Sequence, residues 1–214
     1  MQKVLILGAN GATARIVINR LLKETDDKLS LYLRNSDRLK AYLNNDRVTL
    51  IDGNVQDSDL LKSSMKGIDI VYSNIGGVDL ADSAKVILQA MKETGTKRLI
   101  FYSALGANHE VPGKFGQWNE KAIADYLPGF RKSAKLIDKE KDVITTQIRP
   151  AWLTDKEEIN YETTGTNEQF KGTEVSRKSV ADFVVKLIKD SSKYQNESVG
   201  LDKAGTDGDK PAWL

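Results

Sequence analysis

The first 22 residues pass without interruption from an apolar segment through a glycine-containing turn into a helical pattern. Lys3–Leu7 is a short, almost continuous apolar run, which is typical of a strand buried on both faces of a sheet. The turn 8–14 follows directly, and the apolar residues of 15–22 then recur at helical spacing. A strand, a tight turn and a helix in this order form the unit that binds the pyrophosphate of a dinucleotide.

Three positions of the turn carry the residue types that this binding mode requires. Gly8 lets the chain turn sharply as it leaves the strand, Gly11 lets the backbone approach a phosphate, and Ala14 lets the helix pack on the strand. The free N–H groups at the helix start would face the anion, assisted by the helix dipole. The alternative is a glycine turn that merely joins strand and helix. The predicted pyrophosphate contacts are Gly8, Asn10, Gly11, Ala12 and Thr13.

The next predicted strand, 29–33, is followed directly by Arg34. In a dinucleotide-binding fold an acidic residue at this point binds the ribose 2′-hydroxyl of NAD, whereas an arginine accommodates the 2′-phosphate of NADP. Arg38 lies one helical turn further on, where it is either a second phosphate contact or a solvated helix residue. Because a guanidinium group matches phosphate geometry, the sequence predicts NADP(H) in preference to NAD(H).

Short apolar runs alternate with helical segments along the chain, which predicts a parallel sheet with helices on both faces. The predicted strands are 3–7, 29–33, 48–51, 68–72, 98–102 and 144–148. The predicted helices are 15–22, 36–43, 58–65, 80–94, two segments between 118 and 141, and a last helix capped by Ser176. The expected fold class is α/β, a doubly wound, Rossmann-like sheet in a single NAD(P)-binding domain over 1–214, with 151–175 as a substrate-side loop or small C-terminal lobe.

Composition excludes several classes of function. The 214-residue chain has no cysteine and one histidine, His109, so disulfides, thiol catalysis and cysteine or histidine metal sites are excluded, and no metal site is predicted. His109 stands in a polar segment, where a plain loop residue is expected and a catalytic role is the alternative. The net charge of +2 is spread along the chain, which gives no support to nucleic-acid binding. Without a membrane-spanning segment or a signal peptide, a cytoplasmic monomer or homodimer is expected.

Polar residues and glycines follow four of the predicted strands. They occupy 52–57, 73–77, 103–106 and 149–154. In open parallel sheets ligands bind outside the carboxyl ends of the strands, so these segments are expected to form one site.

Together with the turn at 8–14, these segments resemble the short-chain dehydrogenase/reductase superfamily, in its atypical NAD(P)-binding branch related to NmrA-like regulators. The matching features are 53–57, 74–77, Ser103 and the pair Arg149-Pro150, so the resemblance spans most of the chain.

The resemblance implies a role for each strand end. The first, Gly53, Asn54 and Val55, would border the adenine, with the Asn54 side chain at its exocyclic amine. The next, Ile75, Gly76 and Gly77, would lie along the ribose and pyrophosphate. Ser103 would face the nicotinamide. The alternatives are a loop hinge at 76–77 and a strand-end hydroxyl without a ligand at 103.

One part of the family pattern is missing. Better-known members carry a tyrosine and, four residues later, a lysine that lowers the pKa of the phenol so that it can act as an acid. Here Phe130 follows Tyr126 at that spacing, and Gly106 follows Tyr102. Lys132 lies on the helix that would carry the family's lysine, but no tyrosine precedes it at that distance. The candidate catalytic residues are Ser103 and Lys132.

Three interpretations compete, of which a structural homologue without a retained ligand is opposed by the intact turn and by Arg34. The first is an NADPH-dependent oxidoreductase that transfers a hydride to a small-molecule acceptor, either a quinone or a carbonyl compound. A quinone needs less acid catalysis from the protein than a ketone, which suits the missing tyrosine–lysine pair. The second is a regulatory protein that senses NADP(H) without turnover, as in NmrA-like relatives. The chain lacks an obvious partner-binding extension, which favours the enzyme.

Overall fold

An eight-stranded sheet forms the centre of the computed structural model, which describes residues 1–214. The ten strands of the chain are β1 Lys3–Leu7, β2 Lys28–Leu33, β3 Val48–Asp52, β4 Ile70–Ser73, β5 Arg98–Tyr102, β6 Ile144–Pro150, β7 Trp152–Thr154, β8 Glu162–Thr164, β9 Glu174–Ser176 and β10 Glu197–Asp202. The strands of the large sheet lie in the order β3-β2-β1-β4-β5-β6-β10-β8, and every neighbouring pair is parallel except β10 and β8. A separate parallel pair is formed by β7 and β9.

Six α-helices and one 3-10 helix connect these strands. They are α1 Ala12–Glu24, the 3-10 helix Ser36–Tyr42, α2 Ser58–Met65, α3 Leu80–Thr94, α4 Gly113–Ala122, α5 Leu127–Lys139 and α6 Arg177–Lys189. The helices α1 and α6 pack against each other, whereas α3 packs against both α2 and α5. None of the helices combines the length and the apolar character needed to cross a bilayer.

The central strand β1 shows why helices cover both faces of the sheet. Val4 and Ile6 belong to an apolar cluster that includes residues of α1 and α6. Leu5 and Leu7 belong to a second cluster, with residues of α2, α3 and α5. Successive side chains of a strand point to opposite faces, so an uninterrupted apolar strand must be covered twice. The predicted doubly wound α/β architecture is confirmed.

The predicted elements differ from the observed ones mainly at their ends. The fourth strand was expected at 68–72 and runs from Ile70 to Ser73. The segment expected as a helix at 36–43 is a 3-10 helix, interrupted at Leu39 with φ −117°. Its start is fixed by the Asp52 carboxylate, which accepts hydrogen bonds from the backbone N–H groups of Asn35 and Ser36.

Two strands of the large sheet were not predicted. β10 pairs in parallel with β6 and is reached through α6, whereas β8 adds an antiparallel edge strand from the segment 151–175. β10 does alternate apolar residues, Val199 and Leu201, with smaller or polar ones, a signal that could have found it. The three residues of β8, Glu-Thr-Thr, carry no such alternation, so only pairing with β10 makes them a strand.

Asp202 at the end of β10 makes stability depend on pH. Burial raises the pKa of this carboxyl to about 6, although it accepts a hydrogen bond from Gly172 N at 2.9 Å. The pKa of Asp202 is higher in the folded than in the unfolded state. Its contribution to the free energy of unfolding is therefore complete below about pH 4 and is lost as the pH rises through 6. We expect Asp202→Asn to weaken this decline in the free energy of unfolding, measured by denaturant titration between pH 4 and pH 7.

The exposed Asp209 is the matched control, since its side chain retains 69% of its accessible surface. Asp209→Asn should leave the pH profile of the native chain unchanged. An Asp202→Asn profile that coincides with the native one would contradict the expectation.

Candidate functional site

A groove of about 520 Å³ lies along the carboxyl ends of β1 to β4. Most of the residues expected at the cofactor from the sequence line it. These are Gly8, Asn10, Gly11, Arg34, Arg38, Gly53, Asn54, Val55, Ile75 and Gly76. The topology thus brings four separate strand ends together, as expected for parallel strands that end at one edge.

The two glycines of the first turn are required for different reasons. Gly8 has a φ of +71°, a conformation that favours glycine, and a Cβ there would come within 2.9 Å of Asn74 O. Gly11 has an ordinary φ of −59°, but a Cβ there would lie 2.2 Å from Asn74 Nδ2. The turn is therefore packed against the end of β4, and the close neighbour of Gly11 is the Asn74 side chain of the predicted strand-end segment 73–77.

Asn74 directly follows β4 and is oriented by a residue of that strand. Its Oδ1 accepts a hydrogen bond from Tyr72 Oη at 2.8 Å, which leaves Nδ2 directed towards Gly11. A side-chain amide donor thus stands beside the turn where a phosphate is expected. Asn74 lies within the segment 73–77 and could have been found as a strand-end residue.

The start of α1 provides unpaired backbone donors. No side chain caps this helix, and its first three N–H groups, at Ala12, Thr13 and Ala14, make no backbone hydrogen bond. Such groups, together with the positive end of the helix dipole, suit an anion. Ala12 and Thr13 do not line the groove with their side chains, so any contact they make to a phosphate is through the backbone.

Arg34 and Arg38 are exposed beside the groove, and neither forms an ion pair. Their segment is held in place by other groups. Arg15 of α1 donates to Arg38 O at 3.0 Å and to Asn10 Oδ1 at 2.6 Å. Asp52 holds the start of the same segment, and the backbone N–H of Ser36 keeps the pKa of its carboxyl below the ordinary value. Two unpaired guanidinium groups on a fixed segment fit a 2′-phosphate.

Tyr32 shapes the end of the groove expected at the adenine. Its Oη donates to Asn54 O at 2.9 Å, and burial raises the pKa of the phenol to about 12, so it remains a donor. A Cβ on Gly53 would lie 2.5 Å from Tyr32 Oη, so glycine is required there. Asn54 Oδ1 already accepts from Gln56 N at 3.1 Å. Two further lining residues, Gln56 and Asn74, belong to the predicted strand-end segments 52–57 and 73–77, whereas Tyr32, Leu33, Asp79 and Ser83 were not predicted.

A second cavity, of about 370 Å³, lies at the ends of β5 and β6, one strand further along the sheet. Tyr102 and Ser103 line it, and most of the other lining side chains are apolar. The Ser103 Oγ atom is buried and has no hydrogen-bond partner, whereas the buried Tyr102 Oη lies beside the Thr13 side chain. Burial raises the pKa of Tyr102 to about 12. A buried hydroxyl group without a partner, such as that of Ser103, is uncommon in folded proteins.

Aromatic side chains form one wall of this cavity. The Trp152 ring lies 4.8 Å from the Trp118 ring and 6.3 Å from that of Trp213, measured between centroids. Trp152 Nε1 donates to Asn119 Oδ1 at 3.0 Å, and Asn119 is 1% exposed. This hydrogen bond fixes the indole and makes the wall rigid.

Of the pair Arg149-Pro150, Pro150 lines the cavity, whereas Arg149 does not. Arg149 is fully buried, with Nη1 2.6 Å from Glu110 Oε1 and Nε donating to Ser198 Oγ at 2.9 Å. Glu110 also accepts from the backbone N–H groups of Gly106 and Asn108. Arg149 therefore ties the segment after β5 to β6 and β10.

The remaining predicted residues lie apart from the groove. Lys132 is exposed on α5 and lines neither cavity, so its catalytic role stays a prediction. Gly77 follows the groove residue Gly76 without lining the groove itself. Tyr126 is 47% exposed and lines the second cavity. His109 is an exposed loop residue with φ +59°, and no cluster of metal-ligating residues is present.

The groove, the turn at Gly8 and the open start of α1 define a Rossmann-fold protein of the NAD(P)-binding class. The chain belongs to the NAD(P)H-binding family, which matches residues 8–191. It lies within the atypical short-chain dehydrogenases/reductases, as the sequence predicted. The NmrA-like branch stays a prediction.

Solved structures resemble the whole chain. A Rossmann-fold NAD(P)-binding family protein from Shigella flexneri is 40% identical, with 100% of both chains covered and a TM-score of 0.85. A short-chain dehydrogenase/reductase from Veillonella parvula is 26% identical with a TM-score of 0.92, covering 100% of this chain and 99% of its own. One from the same organism in complex with NADP has the same identity and TM-score, with 99% of each chain covered. No curated protein matches this chain.

Proposed function

We propose that this protein is an NADPH-dependent oxidoreductase that transfers a hydride to a small quinone or carbonyl acceptor. The observation that carries the proposal is the buried, unpartnered Ser103 hydroxyl in an apolar cavity beside the dinucleotide groove. A protein that only held the dinucleotide would need no such cavity. The Veillonella relatives, described as short-chain dehydrogenases/reductases, support the reaction class.

Different residues of the groove would contact different parts of the cofactor. The turn at Gly8 and Gly11 and the first N–H groups of α1 would hold the pyrophosphate, and Arg34 and Arg38 the 2′-phosphate. Gly53, Asn54 and Val55 would border the adenine, while Ile75 and Gly76 lead towards Ser103 and the nicotinamide. The two unpaired arginines support NADP(H) over NAD(H).

NADPH supplies the hydride, and the acceptor also takes up one proton, so that a quinone leaves as a hydroquinone or a carbonyl compound as an alcohol. The Ser103 hydroxyl would donate a hydrogen bond to the acceptor oxygen on which negative charge develops. Most of the lining is apolar, so few other protein groups compete for that hydrogen bond. A quinone suits this site best, because it takes up its proton without a strong acid from the protein.

Replacing Ser103 should lower the turnover rate without weakening the binding of NADPH. We expect Ser103→Ala to lower kcat with a reactive quinone about a hundredfold, since one donor to the developing charge is lost. The affinity for NADPH, measured by its fluorescence, should change little. Steady-state oxidation of NADPH at 340 nm provides the rate.

Tyr126→Phe is the matched control, because Tyr126 lines the same cavity but lacks a lysine partner. Its turnover should stay close to that of the native protein. A collapse of turnover in Tyr126→Phe, with NADPH binding intact, would show that the phenol is the acid and that the assignment of Ser103 is incomplete. Tight NADPH binding without oxidation by any quinone or aldehyde would favour the NADP(H)-sensing alternative.

A further inference from the structure

The second cavity holds one charged side chain among otherwise neutral lining residues. This is Arg177, the first residue of α6, whose side chain is 26% exposed. Hydroxyl groups stand at the buried positions 102 and 103, and aromatic rings form the wall. The cavity thus combines hydrogen-bond donors, flat apolar surfaces and one cation, and its volume lies within the range of small-molecule sites.

The present partner of Arg177 is a weak one. Arg177 Nη1 lies 2.7 Å from Asp155 Oδ1, but the Asp155 side chain is 86% exposed. An ion pair with such an exposed carboxylate contributes little, because water and salt screen it. A carboxylate inside the cavity would bind the same guanidinium group in less polar surroundings and would compete well with Asp155.

The position of Arg177 at the start of α6 does not stabilise that helix. A cation at a helix N-terminus opposes the helix dipole, and the first turn of α6 holds no acidic residue. An anion at this point would interact favourably with both the guanidinium group and the helix start. Arg177 therefore points to an anionic ligand, and the buried Ser103 Oγ without a partner in the same lining is a separate sign of a ligand there.

The aromatic wall indicates the shape of the ligand. Trp152 is fixed by Asn119, and Trp213 lies edge-on to it, half exposed at 51%. Flat ring systems gain most from contact with such surfaces. We propose that the acceptor is a flat aromatic compound that carries a carboxylate, with Arg177 binding the acid group. This inference rests on the proposed function and specifies its acceptor.

A pair of redox-inert probes tests it. Calorimetry would compare 2-naphthoate with the neutral 2-naphthamide, each titrated with and without saturating NADP⁺. We expect the native protein to bind the acid at least tenfold more tightly than the amide, since a charge-assisted hydrogen bond to arginine is worth about that much. Arg177→Gln should abolish this preference and leave the affinity for NADPH unchanged.

Lys178→Gln is the matched control, because the neighbouring Lys178 pairs with Glu157 and does not line the cavity. It should keep the preference for the acid. Equal affinity of the native protein for both probes, or binding of neither, would overturn the inference. The same holds if Arg177→Gln weakens both probes equally. If NADPH nevertheless reduces neutral quinones, the proposed function stands without this acceptor class.

Discussion

Arg149→Ala is expected to lower the free energy of unfolding by about 3–5 kcal/mol, the largest effect of any single substitution considered. The substitution leaves Glu110 as a buried charge without its cation, because the Glu110 side chain is 4% exposed. It also removes the donor to Ser198 Oγ. Urea denaturation followed by circular dichroism measures the loss. Arg149→Lys, which keeps the charge but not the forked geometry, should have an intermediate effect.

A surface ion pair provides the comparison. Lys114 and Asp209 lie 3.2 Å apart with side chains that are 78% and 69% exposed. Lys114→Ala should shift the denaturation midpoint only slightly, because exposed pairs contribute little. If Arg149→Ala lowered the free energy of unfolding equally little, the Arg149–Glu110 pair would not be what holds the segment after β5 to β6 and β10.

Arg34→Ala is expected to weaken NADP⁺ binding by about ten- to hundredfold while NAD⁺ binding stays nearly constant. The removed group is one of two unpaired guanidinium groups at the expected 2′-phosphate, and a hydrogen bond to a charged partner contributes about 1.5–3 kcal/mol. Only NADP⁺ carries that phosphate, so the loss should appear in the ratio of the two dissociation constants, measured by calorimetry. The preference of the native protein for NADP⁺ over NAD⁺ should also decrease as the salt concentration rises.

The exposed Lys40, on the 3-10 helix that follows Arg34, is the matched control, since it does not line the groove. Lys40→Ala should leave the cofactor ratio unchanged. Equal losses for NADP⁺ and NAD⁺ in Arg34→Ala would place Arg34 elsewhere on the dinucleotide and remove the main support for NADP(H) selectivity.

The sequence was most informative where the interactions are local. The β1 strand, the turn at Gly8 and the start of α1 follow one another directly, so the backbone requirement at Gly8 could be predicted and is confirmed by its φ of +71°. The position of Arg34 followed from counting to the end of the next strand. Each of these features depends on residues that are close in the chain or on the repeated pattern of strands and helices.

Contacts between segments that are distant in the chain could not be predicted from the sequence. Asn74 fills the space beside Gly11, and Arg149 of β6 pairs with Glu110 in the segment after β5. The residues of β8 form a strand because they pair with β10. None of these contacts has a local sequence signal, since each joins segments that the sheet topology brings together.

By itself the sequence determined the fold class, the dinucleotide turn and the absence of the tyrosine–lysine pair. The tertiary structure alone decided that Ser103, Trp152 and Arg177 line one cavity. The physical reason is that periodicity and turn chemistry act over a few residues, whereas the walls of a cavity come from distant segments that meet only when the apolar faces of the sheet are buried.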